Sequence, residues 1–236
     1  MDPHSPAEET SKAGSTSQRS ALVLGCLVAF ALLAWNAGAE TGLARVDPHV
    51  QDLVVRHRAG WLTDGFRALT WLGSTTVLTL ILVAAGAILL MTRRDILGAV
   101  LPAIGLAVTV VAKNSAKALI ERPRPSPTSA IGSNTGFAFP SGHAADSLAV
   151  FAMLVLILSA GRSRRVRLTM SFAAAILVLA VGASRVYLGA HWLTDVLGAW
   201  ALAGAIVGLL AWVFPLPRRP LPQDSPFKPR GGPART

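Results

Sequence analysis

Six apolar runs dominate the chain, at about residues 20–38, 69–91, 96–120, 141–160, 167–183 and 191–214. Each comes near the roughly 20 largely apolar residues that an α-helix needs to cross a hydrocarbon core. The pattern therefore predicts an all-α, polytopic membrane protein, a bundle of about six transmembrane helices. Connections between the runs are short except for two, 39–68 and 121–140. In the first, "VDPHVQDLVVRHRAGWLTDGF" puts Asp47 where it can cap a helix with Pro48 at its first position. Val50, Leu53 and Val54 then share a face, with Trp61 and Phe66 following, which predicts an interfacial helix between the first two spans. A solvated loop with incidental apolar residues is the alternative for this stretch.

The two ends read differently from the middle. Residues 1–19 are polar and aperiodic, and residues 215–236 carry seven prolines. Both predict disordered tails, the second Pro/Arg-rich, flanking a six-span domain over 20–214. "AGA" at 37–39 is the kind of small-residue site that follows a signal peptide, but the apolar run before it is long for a signal sequence, so it reads as a retained span. "TRRD" (92–95), "GRSRRVR" (161–167) and "PRRP" (217–220) fall on one side of a six-span arrangement, with Lys12 and Arg19. Since positive loops are held on the cytoplasmic side, both termini are expected in the cytoplasm of a bacterial-type plasma membrane. The two long connections and the stretch 184–191 then lie on the extracytoplasmic face. Arg45, Arg56, Arg58, Arg67, Lys117, Arg122, Arg124 and Arg185 fall there against the trend.

Composition narrows the class. A chain 52% hydrophobic and 14% charged, with mean hydropathy +0.52, is not an ordinary soluble domain. The net charge of +10 raises the question of nucleic acid, but the basic residues form short blocks between apolar runs, not a face interleaved with aromatics. No nucleic-acid partner is expected. One cysteine, Cys26, lies inside an apolar run and supports neither a disulfide framework nor a cysteine metal site.

Three stretches on the outer face place ionisable groups beside apolar spans, where an unpaired charge costs several kcal/mol and marks a functional candidate. In "KALIERPRP" (117–125), Lys117 ends the third span and the alternating prolines hold the chain extended, so that Arg124 can fold back toward the same cavity. A snorkelling lysine with a positive loop is the other reading, and Lys113, one turn deeper, either shares that face or snorkels. In "FPSGHAADS" (139–147), Pro140 and Gly142 break the chain, leaving Ser141, Gly142 and His143 at a helix N-terminus suited to phosphate. An N-cap serine followed by an interfacial histidine is the alternative. Asp146, about one turn inside, either pairs with a pocket cation or caps the helix. In "SRVYLGAHWLTD" (184–195), His191 and Asp195 are four apart and share a helix face. The carboxylate can hold one imidazole nitrogen and leave the other free to attack. Arg185 ends the fifth span, Gly189 permits the turn, and a structural Arg185–Asp195 pair is the competing reading.

Together the three stretches resemble the motif set of the type 2 phosphatidic acid phosphatase superfamily. Its pattern is Lys, six residues, Arg-Pro; then Pro-Ser-Gly-His; then Ser-Arg, five residues, His, three residues, Asp. Here these are Lys117 to Arg124-Pro125, Pro140-Ser141-Gly142-His143, and Ser184-Arg185 to His191 to Asp195, within a motif core of 117–195. The gaps, 14 residues from Pro125 to Pro140 and 40 from His143 to Ser184, fit as well. Asp146 departs from the small or hydroxyl residue expected at its position. The resemblance implies a membrane lipid phosphatase with His191 as nucleophile, Asp195 orienting it, and His143 as acid and then base. Lys117, Arg124, Ser141, Gly142 and Arg185 would bind phosphate. Three cations around a dianion neutralise one another only when phosphate is bound.

The implied substrate is an amphiphilic phosphate: phosphatidic acid, phosphatidylglycerol phosphate or a polyprenyl diphosphate. A phospho-headgroup transferase, in which an alcohol intercepts the phosphohistidine, is the nearest alternative. A non-catalytic membrane phosphate-binding protein would be expected to lack His191, His143 or Asp195, and a channel to spread its charges through the midplane. Oligomeric state is left open. No cofactor is implied and no metal, since magnesium favours clustered carboxylates, whereas Glu121, Asp146 and Asp195 are scattered. Phosphate release from lipid substrate is accordingly expected to survive EDTA. Activity lost on chelation and restored by magnesium would contradict that expectation.

Overall fold

The computed structural model describes residues 6–126, 128–132 and 135–214. Among these the regular elements are helices: α1 (Pro6–Ala39), α2 (Asp47–Arg56), α3 (Gly60–Thr70), α4 (Thr75–Arg93), α5 (Ile96–Ile120), α6 (Gly142–Leu158), α7 (Arg164–Tyr187) and α8 (Leu193–Val213), with 3-10 turns at Gly42–Val46 and Trp71–Gly73. Segments Ser17–Ala39, Thr75–Arg93, Ile96–Ile120, Arg164–Tyr187 and Leu193–Val213 are long and apolar enough to cross a membrane. The expected fourth span is the shorter α6, whose 17 residues reach about 26 Å at 1.5 Å per residue.

Local chemistry sets the helix starts. Ser74, Asp95 and Ser163 each accept a backbone N–H three residues on, from Val77, Gly98 and Val166. Those caps place the second span at Thr75 rather than near residue 69 and carry the fifth back to Arg164. The first helix also differs from its expected limits. It begins at Pro6, so most of the stretch expected as a disordered N-terminal tail is helical, while residues 1–5 and the Pro/Arg-rich tail 215–236 lie outside the described residues.

The connection between the first two spans holds two helices and two 3-10 turns instead of one interfacial helix. Asp47 does not cap α2: the N-cap is Val46, with no side-chain cap, and the Asp47 carboxylate is engaged by residues far along the chain. Val50 and Val54 share a face, which packs on the core, but Leu53, expected on the same face, is 58% exposed.

The short α6 is the centre of the bundle and packs against α4, α5, α7 and α8, while α1 lies along α8. Small residues make the close approaches possible. Ala144, Ala145, Ala149, Ala199 and Ala203 share one core cluster with Leu101, Met153 and Val196. Leu78, Leu82, Leu106, Val150 and Leu154 form a second cluster between α4, α5 and α6. The outer faces remain apolar, with Leu22, Leu32, Trp35, Val83, Ile88 and Phe172 exposed, as lipid-facing helices require. Gly198 of α8 faces the fully buried Phe139, and a Cβ there would stand 2.4 Å from the ring. Gly198→Ala is expected to lower stability by about 1–3 kcal/mol, read as thermal unfolding in detergent. Gly25→Ala on α1, where a Cβ meets nothing within 4 Å, is expected not to destabilise.

Candidate active site

The ends of α5 and α7 and the starts of α6 and α8 meet at one end of the bundle, joined by the 121–141 connection and the turn at 188–192. The turn depends on Gly189, at φ +69, where a Cβ would lie 2.5 Å from the Ser129 carbonyl oxygen. It returns the chain so that the Ala190 and His191 amides both donate to the Arg185 carbonyl. Asp195, in the first turn of α8, accepts the Trp192 N–H on Oδ2 at 2.9 Å.

His191 is 2% exposed and lies between two charged groups of opposite sign. Its Nδ1 is 3.4 Å from Asp195 Oδ2, and its Nε2 is 3.3 Å from Arg124 Nη1. The guanidinium can only donate, so Nε2 carries the lone pair and Nδ1 the proton, facing the carboxylate. The Nδ1 contact is long for a hydrogen bond, as catalytic contacts often are before substrate fills a site. Burial lowers the His191 pKa to about 4, opposed by Asp195 and reinforced by Arg124 and Arg185. The ring is therefore a neutral base at neutral pH.

Three motif cations lie at this end of the bundle, Arg124 against the imidazole itself. Arg124 donates to the carbonyls of Gly136, Thr135 and Ala190 at 2.8, 2.8 and 2.7 Å, which fixes its plane beside the ring. Burial lowers its pKa, against the pull of Asp195. Lys117 donates to the Phe137 carbonyl at 2.7 Å and lies within electrostatic reach of Arg124, Asp195, Lys113 and Arg185. Arg185 donates to Thr70 Oγ1 at 2.9 Å. The expected alternative, an Arg185–Asp195 pair, is not what forms: Asp195 is paired with Arg122 at 2.6 Å.

Ser141 occupies the N-cap position of α6 without capping it. Its N–H donates to the Asp195 carbonyl oxygen, and its fully buried hydroxyl has no hydrogen-bond partner among the described residues. Gly142 follows, where a Cβ would meet Lys113 Nζ at 3.3 Å. His143 lies within electrostatic reach of Arg185, His191, Lys113 and Arg124. It packs on Gly73, where a Cβ would come 3.1 Å from the His143 Cβ. The eight residues singled out by the motifs therefore converge on one end of the bundle. A neutral imidazole with an available lone pair, a second imidazole, several cations and a hydroxyl at a helix N-terminus form a set chemically suited to a tetrahedral anion.

Six other contributors carry no motif signal. Arg122, Asp47 and Thr194 join Asp195 in a buried network. Lys113 does not snorkel and Asp146 does not cap. They pair with each other at 2.5 Å, and Thr75 Oγ1 donates to the same Asp146 oxygen at 2.7 Å. Of these, the sequence singles out Asp47, Lys113 and Asp146, the last as a carboxylate inside an apolar run.

The family model described as the PAP2 superfamily matches residues 97–219. Phosphatidylglycerophosphatase B of Bacillus subtilis (strain 168) is 31% identical over 159 residues, covering 66% of this chain and 77% of that protein. Among solved structures, the transmembrane PAP2-type phosphatidylglycerolphosphate phosphatase from Bacillus subtilis is similar at a TM-score of 0.74 and 26% identity, covering 80% of this chain and 94% of that one. LpxE of Aquifex aeolicus shares the fold at a TM-score of 0.56 and 22% identity, over 72% of this chain and 96% of that one.

The Lys113–Asp146 pair has a measurable cost. Asp146→Ala leaves a buried ammonium without its carboxylate and is expected to destabilise by about 3–5 kcal/mol. Lys113→Met combined with Asp146→Leu is expected to recover most of that loss. Thermal unfolding in detergent reads both, and a double variant no more stable than the single one would contradict the pairing.

Proposed function

The chain belongs to the PAP2 superfamily and is a membrane phosphatase, and from that premise we propose that it releases phosphate from an amphiphilic substrate through a phosphohistidine on His191. The observation that carries this reading is the orientation of the buried imidazole. Nδ1 faces Asp195, so the lone pair on Nε2 points at Arg124, where an anion's oxygens would be held.

In the first step His191 Nε2 attacks phosphorus in line, the P–N bond forms, and the P–O bond to the leaving group breaks. His143, which takes up a proton as the substrate's negative charge offsets the neighbouring cations, delivers that proton to the departing oxygen. Charge developing on the equatorial oxygens is met by Lys117, Arg124, Arg185, the Ser141 hydroxyl and the Gly142 N–H, already positioned before reaction begins. Asp195 stabilises the cationic ring that results. In the second step His143, now neutral, takes a proton from water. The resulting attack breaks the P–N bond, frees inorganic phosphate and returns His191 to its starting form.

The substrate class follows from place as well as chemistry. The site sits at the ends of apolar helices, at headgroup depth, so the phosphate of a lipid reaches it while the acyl or prenyl chains stay in hydrocarbon. Phosphatidic acid, phosphatidylglycerol phosphate and a polyprenyl diphosphate all fit that description, and similarity to phosphatidylglycerophosphatase B of Bacillus subtilis favours the second. By the distribution of Lys and Arg, we place the site on the extracytoplasmic face and the termini in the cytoplasm.

Purified wild type and His191→Ala, compared for phosphate release from vesicles containing each lipid phosphate, test the proposal. A loss of at least about 1,000-fold in the variant is expected for a removed nucleophile. Equal release by both would overturn it.

A further inference from the structure

The motifs give Asp195 one task, holding His191, yet only one of its oxygens faces the ring. The other, Oδ1, accepts from Arg122 Nη1 at 2.6 Å, and the same nitrogen donates to Thr194 Oγ1 at 2.7 Å. Arg122 is 5% exposed and Asp195 fully buried, so this contact is made in a low dielectric. By itself it would be a liability. A guanidinium bonded to the orienting carboxylate draws its negative charge away from the imidazole, which needs that charge when it turns cationic on attack.

Asp47 answers the problem. Its Oδ2 accepts from Arg122 Nη2 at 2.7 Å, its Oδ1 accepts the Thr194 N–H at 3.0 Å, and Oδ2 also accepts the Thr194 hydroxyl. The residue is 2% exposed and stands at the start of α2, on the connection before the second span, outside the family-matched residues 97–219. Two carboxylates around one guanidinium leave one net negative charge in the buried cluster, next to His191. The same bonds fix the guanidinium plane and hold the first turn of α8, from which Asp195 projects. Trp192, whose ring lies 5.6 Å from the guanidinium carbon, closes another side.

We infer that Asp47 is a positioning residue for the reaction: acting through Arg122 and Thr194, it sets the charge and orientation that Asp195 presents to His191. Asp47 touches neither substrate nor the attacking ring, so its effect appears in the chemical step and not in substrate binding. The inference rests on the phosphohistidine reading above.

The test uses the full-length protein in detergent with lipid phosphate, measuring kcat, KM and thermal unfolding for Asp47→Asn, for Asp47→Asn with Arg122→Gln, and for His191→Ala. Asp47→Asn keeps the shape and removes the charge, and its kcat is expected to fall by about 10- to 100-fold with KM within about two-fold. The double variant returns one net negative charge to the cluster, so its kcat is expected within about ten-fold of wild type and above that of the single variant. A purely structural role predicts the reverse, with the double variant worse. Wild-type kcat in Asp47→Asn, or a folded double variant below the single one, overturns the inference. Where Asp47→Asn is not recovered folded, the double variant carries the test alone, and a loss beyond about ten-fold in the folded protein overturns it. Release retained in His191→Ala defeats the phosphohistidine reading and this inference with it. Release lost there but unchanged in Asp47→Asn defeats the inference alone.

Discussion

A guanidinium or ammonium drawn into the end of an apolar bundle must meet opposite charge at hydrogen-bond distance, or the fold loses several kcal/mol. This protein meets the requirement in two ways, and the difference separates scaffold from site. Arg122 and Lys113 are matched by internal carboxylates, Asp47 with Asp195 and Asp146 respectively. Lys117 and Arg124 are held by main-chain carbonyls instead, which fix direction without cancelling charge. The first arrangement is complete as it stands. The second would be completed by an anion on the proposed reading, with the His191 lone pair facing Arg124.

The connection between the first two spans has more to do with this end of the bundle than its place in the chain suggests. Asp47 braces Arg122 and Thr194, and Arg58 donates to the Tyr187 carbonyl at 3.0 and 2.7 Å. Thr70 accepts from Arg185, and Gly73 leaves room for His143. Each motif on α6, α7 and α8 is thus backed by a residue from 42–73. The outer side of the same segment exposes Leu43, Val46, Leu53, Trp61 and Trp71. One stretch therefore exposes apolar side chains and also braces the residues of the candidate site.

Much of this was legible in the sequence, for physical reasons that also explain what was not. Spans are written as long apolar runs because hydrocarbon tolerates little else, and Ser17–Ala39, Ile96–Ile120 and Leu193–Val213 follow the runs closely. The motif residues were legible because their types and spacings are tied to one chemistry. Their convergence needed the fold. Asp47 before Pro48 has the local form of a helix cap, and the competing demand came from Arg122, Thr194 and Asp195, which no local pattern announces. Arg122 lies between Glu121 and Pro123 and reads as one more loop charge, although it is buried. Asp146 stands out in the sequence as a carboxylate inside an apolar run, and of its two readings, pairing or capping, the structure shows pairing, with Lys113.

The central claim is that one buried imidazole, held by Asp195 and facing a cluster of cations, takes the phosphoryl group covalently. Rapid quenching of the protein during turnover of a radiolabelled lipid phosphate, followed by peptide mapping, tests it most directly. The account predicts a base-stable, acid-labile phosphoryl group on His191. A phosphoryl group on any other residue, or turnover with no labelled protein at any quench time, would contradict it.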